Sequence, residues 1–303
     1  MAEPATSEVV VVGGGPAGLQ ATLTLGRVHR QVVLVDEGEG RNASAGHMHN
    51  LVTRDGVPPG EFRRIAREEL AGYPTVQVLD GRALGVRDVT GDGDGDPAFV
   101  VELEHGGQLR TRRVVLATGM RDQLPQVPGL AELWGTLVVQ CPFCHGHEMA
   151  GRPVAVLGAD AAVHTAGIMR AVASEVVVLT DGEELPEDPG ASVRTERVRR
   201  LEPEGDQVRV VLAEGEPVVV AGIFVATTAV QATPFAEQLG LVLNPSGGVR
   251  VDEHGRTSRP GVYAAGDLAH VAALEAPVPS VVQALAAGSM AAGCVVADLV
   301  DGA

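Results

Sequence analysis

The chain carries one pattern twice. VVVVGGGPAGLQATLTLGR, residues 9 to 27, is a β-branched run, a glycine turn and a helix-forming stretch, and QVVLVDE, residues 31 to 37, is a second apolar run ending in acid. PVAVLGADAAVHTAG, residues 153 to 167, and EVVVLTDG, residues 175 to 182, repeat it, and Gly158 to Asp181 spans the same 23 residues as Gly13 to Asp36. Strand, glycine turn, helix and strand make the unit that binds dinucleotides, so the expected fold is α/β with two Rossmann-like domains. In the first copy Gly13 permits the tight turn, Gly15 lets backbone approach a pyrophosphate, and Gly18 lets helix and strand pack closely. The phosphates are then expected at the helix N-terminus, where free N–H groups and the dipole favour anions.

Composition removes several other classes. At 303 residues and 45% hydrophobic content the chain can fill two cores. It has no run of about 18 apolar residues, and its start, MAEPATSE, lacks the basic end and apolar stretch of a signal peptide, so a cytoplasmic protein off the membrane is expected. A net charge of −16 argues against a nucleic-acid surface, which needs clustered basic residues. All 23 basic residues are Arg, which excludes Schiff-base and P-loop lysine chemistry.

Between the two copies lie strand-like runs from about 76 to 117 (VQVLD, FVVELEH, RRVVLATG) and the segment GDGDGDP, 91 to 97. Its alternating Asp suggests the start of a calcium loop, but the twelfth position from Asp92 is Leu103 and not the bidentate Glu, so a solvated hairpin loop is expected. PQVPGL, 125 to 130, reads as a linker, and CPFCHGHE, 141 to 148, follows it. Cys-x-x-Cys with His145 and His147 permits a metal site, a staple or a redox pair. Zinc would need two more ligands at paired spacing, and the third cysteine, Cys294, sits in an apolar Ala/Val-rich stretch and reads as core, so no metal is expected.

GGGPAG at residues 13 to 18, LATG at 116 to 119 and GVYAAGD at 261 to 267, in that order, resemble the flavoprotein disulfide reductases with two dinucleotide domains. The Cys-x-x-Cys inside the second domain makes the chain similar to the low-molecular-weight thioredoxin reductases. Pro142 and Phe143 between the cysteines, His145 after them, and the upstream RNASAGHMHN, 41 to 50, are similar to the FAD-dependent dithiol oxidases that close disulfides in sulfur-containing natural products of the holomycin and gliotoxin type, a role in antibiotic biosynthesis.

The resemblance implies an FAD domain of residues 1–120 and 244–303 with an inserted NAD(P)-type domain, 121–243, in a thioredoxin reductase-like homodimer. Carried over, the FAD residues are Gly13, Gly15, Pro16, Ala17 and Gly18 at the pyrophosphate, Asp36 and Glu37 after the second strand, and Arg41, Asn42, His49 and Asn50 upstream. Ala117, Thr118 and Gly119, then Gly266 and Asp267, and finally Gln283 and Ala284 complete the set; His47 and His49 either flank the flavin or are solvent-facing loop histidines. Asp267 would hold the ribityl chain, and the helix after it would favour the anionic reduced flavin.

A nicotinamide cofactor is disfavoured. The second copy has Gly158, Asp160 and Val163 where small residues are needed, and at about 4 Å with an effective dielectric near 20 a carboxylate–phosphate repulsion is worth about 4 kcal/mol. LTDGEELPED, 179 to 188, offers acid where a 2′-phosphate would need Arg. Asp181 keeps NADH open as an alternative to a turn residue. Without a nicotinamide, electrons arrive from a thiol and leave through the flavin.

Pro142 is tolerated at the first position of a helix, which places Cys141 and Cys144 one turn apart at a helix start. A fall in thiol pKa from 8.5 to about 6.5 there would raise the thiolate fraction at pH 7 from roughly 3% to roughly 75%. By resemblance Cys141 is the exchanging sulfur and Cys144 the one against the flavin; His145, and less directly His147, are the acid–base candidates, with simple helix capping as the alternative role of His145. The expected activity is a thiol oxidase that forms a disulfide in a small dithiol and reduces dioxygen to hydrogen peroxide. A thioredoxin-type disulfide reductase using NADH or a ferredoxin, and a redox-sensing flavoprotein without turnover, are the rivals.

Overall fold

The run Val9–Val12 is buried on both sides, as a parallel strand covered by helices must be. In the computed structural model, which describes residues 5–89, 91, 98–160 and 162–302, it lies in the strand Ala5–Val12 at the centre of a sheet. Val32–Asp36 and then Val76–Asp80 add in parallel on one side. Gln108–Leu116 adds in parallel on the other and serves two partners. Its first residues pair antiparallel with Phe99–Leu103, which pairs antiparallel in turn with Ala83–Asp88, while Val114, Val115 and Leu116 pair in parallel with Val262–Ala264. Residues 92–97, the loop expected of the Asp-rich segment, lie outside the described residues.

The chain divides into two compact units, Met1–Arg41 with Gly60–Arg121 and Val230–Ala303, and Asn42–Pro59 with Asp122–Ala229. Two boundaries differ from those expected from sequence. The chain rejoins the first unit at 230 rather than 244, because Phe235, Ala236, Leu239 and Leu241 are buried and Gln238 Oε1 accepts the Val86 N–H at 3.0 Å. Residues 42–59 join the second unit: a Cβ on Gly135, a glycine at φ +83°, would lie 2.6 Å from the Ser44 carbonyl oxygen.

In the first unit the helix Pro16–Arg27 starts at Gly15 with Pro16 in its first turn and no side-chain cap. The C-terminal helix Val281–Asp301 is long and apolar enough in composition to cross a membrane. Here its small-residue face packs on the glycine-motif helix. A Cβ on Gly288 would fall 2.1 Å from the Ala17 carbonyl oxygen, so only glycine permits the two backbones to approach this closely. Ala291, Ala292, Val295 and Leu299 enter the same core as Val9, Leu25 and Leu34.

The second unit has a parallel sheet ordered Ser192–Arg194, Glu175–Leu179, Pro153–Leu157, Ile223–Val225, Val138–Val139. Alternation along its strands fills two cores. Val154, Val156, Val176 and Val178 pack with Ala162, Ala166 and Met169 of the helix Ala162–Met169. Ala155, Leu157, Val177 and Leu179 pack with Val208, Val210, Leu212 and Val220 of an antiparallel meander, Val198–Glu204, Gln207–Leu212 and Val218–Val220.

Candidate functional site

Each glycine of the first motif has its own steric reason. A Cβ on Gly13 (φ +105°) would lie 2.4 Å from the Ala117 carbonyl oxygen, and one on Gly18 would lie 1.8 Å from the Gly13 carbonyl oxygen. Gly15 differs: its Cβ position meets nothing within 4 Å. The protein fills the space behind the turn and leaves the space in front of it open, beside the uncapped helix start, which suits a pyrophosphate. Gly14, at a position that the motif leaves free, has a role too, since a Cβ there would strike the Asp36 carboxyl at 2.2 Å.

Asp36 is 3% exposed and fully engaged within the protein. Its Oδ1 accepts the Gly14 and Gly38 N–H groups at 3.2 and 3.1 Å, and its Oδ2 accepts from Arg63 at 2.7 Å and Arg67 at 3.3 Å. A ribose hydroxyl at Asp36 therefore competes with two guanidinium groups on the helix Pro59–Leu70, residues that sequence reasoning missed. Glu37 is exposed and pairs with Arg82 at 3.4 Å.

The remaining first-unit residues converge on the same end of the sheet. Ala117, Thr118 and Gly119 turn the chain after Gln108–Leu116, braced by Thr233 Oγ1 donating to Thr118 Oγ1 at 3.2 Å. Gly266 (φ +75°) is so close to Ala17 and Ala284 that a Cβ would meet theirs at 2.9 and 3.8 Å, which brings the glycine-motif helix, the strand end at Gly266 and the start of the C-terminal helix together. Asp267 accepts from Arg41 Nη1 at 2.8 Å. The C-terminal helix is capped by Ser280, whose Oγ accepts the Gln283 N–H at 3.1 Å. Asn42, His49 and Asn50 belong to the second unit. Asn42 accepts the Ala45 N–H in a turn, and Asn50 holds a left-handed turn (φ +61°) by donating its N–H to Asp55 at 2.8 Å.

Cys141 and Cys144 form a disulfide with Cα atoms 5.3 Å apart. Cys141 caps a helix that begins at Pro142 but ends at His145. It is a single turn. The depressed thiol pKa expected from a helix dipole therefore loses most of its basis, because aligned peptide dipoles sum over several turns. Both cysteines are half-buried, whereas Phe143 between them is 66% exposed. No third His, Asp, Glu or Cys stands with the pair in a metal-holding group among the described residues.

His145 is half-buried, and its Nδ1 is buried without a hydrogen-bond partner. Burial pushes its pKa below the usual imidazole value, against an opposing pull from Glu148, so the ring is a neutral base at pH 7. His147 is exposed. His49 lies between two carboxylates, Nδ1 at 3.4 Å from Asp55 and Nε2 at 3.5 Å from Glu148, and exposed His47 stacks at a tilt against it with ring centroids 6.4 Å apart.

The second glycine turn is filled by the chain itself. Gly158 (φ +96°) makes the turn, but the Ala159 N–H that would face a phosphate donates to Glu183 Oε2 at 3.2 Å, and Asp160 stands exposed beside it. Asp181 (φ +53°) accepts the Val198 N–H at 2.7 Å and is a turn residue. A cavity of about 150 Å³, lined by Gln140, Val156, Thr165, Phe224, Ala226 and Thr227, opens at the ends of these strands. Ligand clefts run from about 300 Å³ upward.

The sequence matches the pyridine nucleotide-disulphide oxidoreductase family over residues 7–291. Thioredoxin reductase sirT of Leptosphaeria maculans is 33% identical, over 94% of this chain and 92% of that protein. Among solved structures, HlmI superposes with a TM-score of 0.87 at 37% identity, covering 98% of this chain and 93% of that one. The putative thioredoxin reductase TrxB of Bacillus anthracis superposes with a TM-score of 0.87 at 30% identity, covering 98% and 99%.

Proposed function

Because the chain belongs to the pyridine nucleotide-disulphide oxidoreductase family, we propose that it runs that family's chemistry toward disulfide formation, oxidising a small dithiol through Cys141 and Cys144. The observation that carries this direction is the Glu183 carboxylate on the Ala159 N–H. An anion already occupies the hydrogen-bond donor that a nicotinamide dinucleotide needs, and a second carboxylate, Asp160, adds repulsion of about 4 kcal/mol at contact distance. The reading includes a homodimer, a cytoplasmic setting and a role in making a sulfur-containing natural product.

FAD is the cofactor in this reading, held by the Gly13–Gly18 turn, the Ala117–Gly119 bend, Asp267 with Arg41, and the start of the C-terminal helix. Bound there, it would accept two electrons from the reduced cysteine pair and deliver them to dioxygen as hydrogen peroxide. The chain's own residues carry the sulfur chemistry. A substrate thiolate attacks Cys141 Sγ, the Cys141–Cys144 bond breaks, and Cys144 leaves as a thiolate. The second substrate thiol then attacks the substrate sulfur of the mixed disulfide, closing the product and expelling Cys141. Two electrons pass from the substrate sulfurs to the enzyme pair, and two protons leave the substrate thiols. His145, neutral and half-buried, takes the proton of the first attacking thiol, passes it to solvent, and then takes that of the second. Exposed Phe143 offers an apolar contact to a small substrate at the disulfide.

The second reading is a thioredoxin-type disulfide reductase, favoured by the names that the relatives carry. Aerobic turnover with dithiothreitol separates the two: the oxidase reading expects one hydrogen peroxide per disulfide closed, without nicotinamide. Disulfide formation without peroxide would overturn dioxygen as the acceptor.

A further inference from the structure

We propose that the cavity at the strand ends of the second unit is a specificity subsite, which takes an uncharged, amide-bearing side group of the dithiol while its sulfurs exchange at Cys141. The inference rests on the dithiol-exchange reading and adds the class of substrate. Parallel strands end there in step: Phe224 pairs with Val139 on one side and with Val156 on the other. Gln140 follows Val138–Val139 directly, lines the cavity, and is joined through its backbone to Cys141. The Cα atoms of such neighbours are about 3.8 Å apart. The cysteine turn and the cavity also share a wall. A Cβ on Gly146 would lie 3.2 Å from Met169 Sδ, and Thr165 of the same helix lines the cavity. A molecule held on Cys141 through sulfur therefore has the cavity within reach of a short side group.

Size and lining fix the class of group. About 150 Å³ is below the range of a whole-ligand cleft, but a cavity of that size holds a ligand as large as benzene. Buried Val156 and Phe224 supply apolar contact, and no lining residue among the described ones carries a charge. The polar part of the wall is Gln140, Thr165 and Thr227. Thr227 donates its hydroxyl hydrogen to Asp122 Oδ1 at 2.6 Å, so its remaining capacity is as an acceptor. An N–H satisfies it, whereas a carboxylate would meet lone pairs with the Asp122 charge next to them. The Gln140 amide both donates and accepts, which suits a carboxamide. The strand ends where a nicotinamide dinucleotide would lie are thus reduced to a place for one side group.

Two pairs of compounds differ only in that group. Valeramide and valerate carry it without sulfur, and dihydrolipoamide and dihydrolipoate carry it on a dithiol. In the whole protein, valeramide is expected to shift the methyl NMR signals of Thr165 and Val225 with a millimolar Kd, and valerate to bind at least about tenfold more weakly. Anaerobic exchange, counted as alkylated enzyme thiols after rapid quench, is expected to favour dihydrolipoamide over dihydrolipoate by about tenfold in second-order rate, the scale of a small pocket contact. Ala226 is exposed at the cavity, so Ala226→Leu fills it without disturbing the core and is expected to weaken valeramide binding and remove the preference. Methyl signals that ignore valeramide, or respond equally to valerate, would overturn the subsite. A preference that persists in Ala226→Leu would trace to the protein's net charge and overturn it too. Valeramide binding with equal exchange rates for the two dithiols would overturn the link to Cys141. Valeramide binding in a protein that exchanges with neither dithiol would instead overturn the dithiol reading and support the cavity's ligand class.

Discussion

Cys144→Ser is expected to lower dithiol turnover by at least about a thousandfold, the scale on which removal of one member of a concerted nucleophilic unit acts. Serine preserves shape but cannot form or leave from a disulfide at neutral pH. The two single variants differ in what they trap. With Cys144 replaced, Cys141 keeps its sulfur and is expected to form a stable mixed disulfide with a monothiol disulfide such as hydroxyethyl disulfide, seen as one added thiol in the intact mass. Cys141→Ser is expected to lose turnover equally and to acquire the adduct far more slowly. Both sulfurs are half-buried in the disulfide, so burial alone does not rank them. Equal adduct rates in the two variants would sink the assignment of Cys141 as the exchanging sulfur.

The second large effect is on stability. Asp298, near the end of the C-terminal helix, accepts from Arg256 Nη2 at 2.7 Å and Nε at 3.0 Å, and from the hydroxyl of Tyr263, which is 1% exposed. Cys294 donates weakly to it at 3.8 Å, and burial pushes that thiol up to about 11. Asp298→Ala leaves the Tyr263 hydroxyl buried without its acceptor and Arg256 without its bidentate partner. Arg256 is 41% exposed and recovers some hydration, so the expected cost is about 3 kcal/mol, read from urea unfolding by far-ultraviolet circular dichroism. The pH dependence has a definite sign. Arg256 holds the Asp298 carboxyl below the ordinary range. A depressed folded-state pKa contributes stability above the unfolded value near 3.9 that is lost as pH falls through the folded value. The gap between wild type and Asp298→Ala is therefore full at pH 7 and narrows below about pH 4. A gap independent of pH would contradict the ion-pair account.

The parts of the site that sequence revealed are those where spacing alone imposes geometry. Gly13, Gly15 and Gly18 could be assigned distinct tasks because a strand–turn–helix leaves each a different neighbour, and Gly266 followed by Asp267 marked a strand end by its position after GVYAA. What sequence hid are partners brought from elsewhere in the chain. Arg63 and Arg67, which bind Asp36, are spaced like the solvated face of any amphipathic helix. Glu183 lies in an acid-rich run, TDGEELPED, where nothing distinguishes the one carboxylate that reaches the Ala159 N–H. Asp36 and Asp181 have the same spacing from their glycines yet different surroundings, because Asp181 accepts from Val198 on a strand of the meander. The segment 42–59 joins the second unit through contacts such as Ser44 against Gly135, between residues 91 positions apart in sequence, and nothing in the run NASAGHMHN marks that partner. The helix after Pro142 read correctly at its start, but nothing in HGHEMAG marks how early it ends.

Anaerobic rapid mixing of the FAD-loaded protein with single donors reads the direction of electron flow. Dithiothreitol is expected to bleach the flavin absorbance within the time of a turnover, while NADH and NADPH at equal concentration leave it unbleached, because Glu183 and Asp160 occupy and repel the dinucleotide's place. Rapid bleaching by either nicotinamide, with dithiothreitol slow, would contradict the account and make the protein a disulfide reductase.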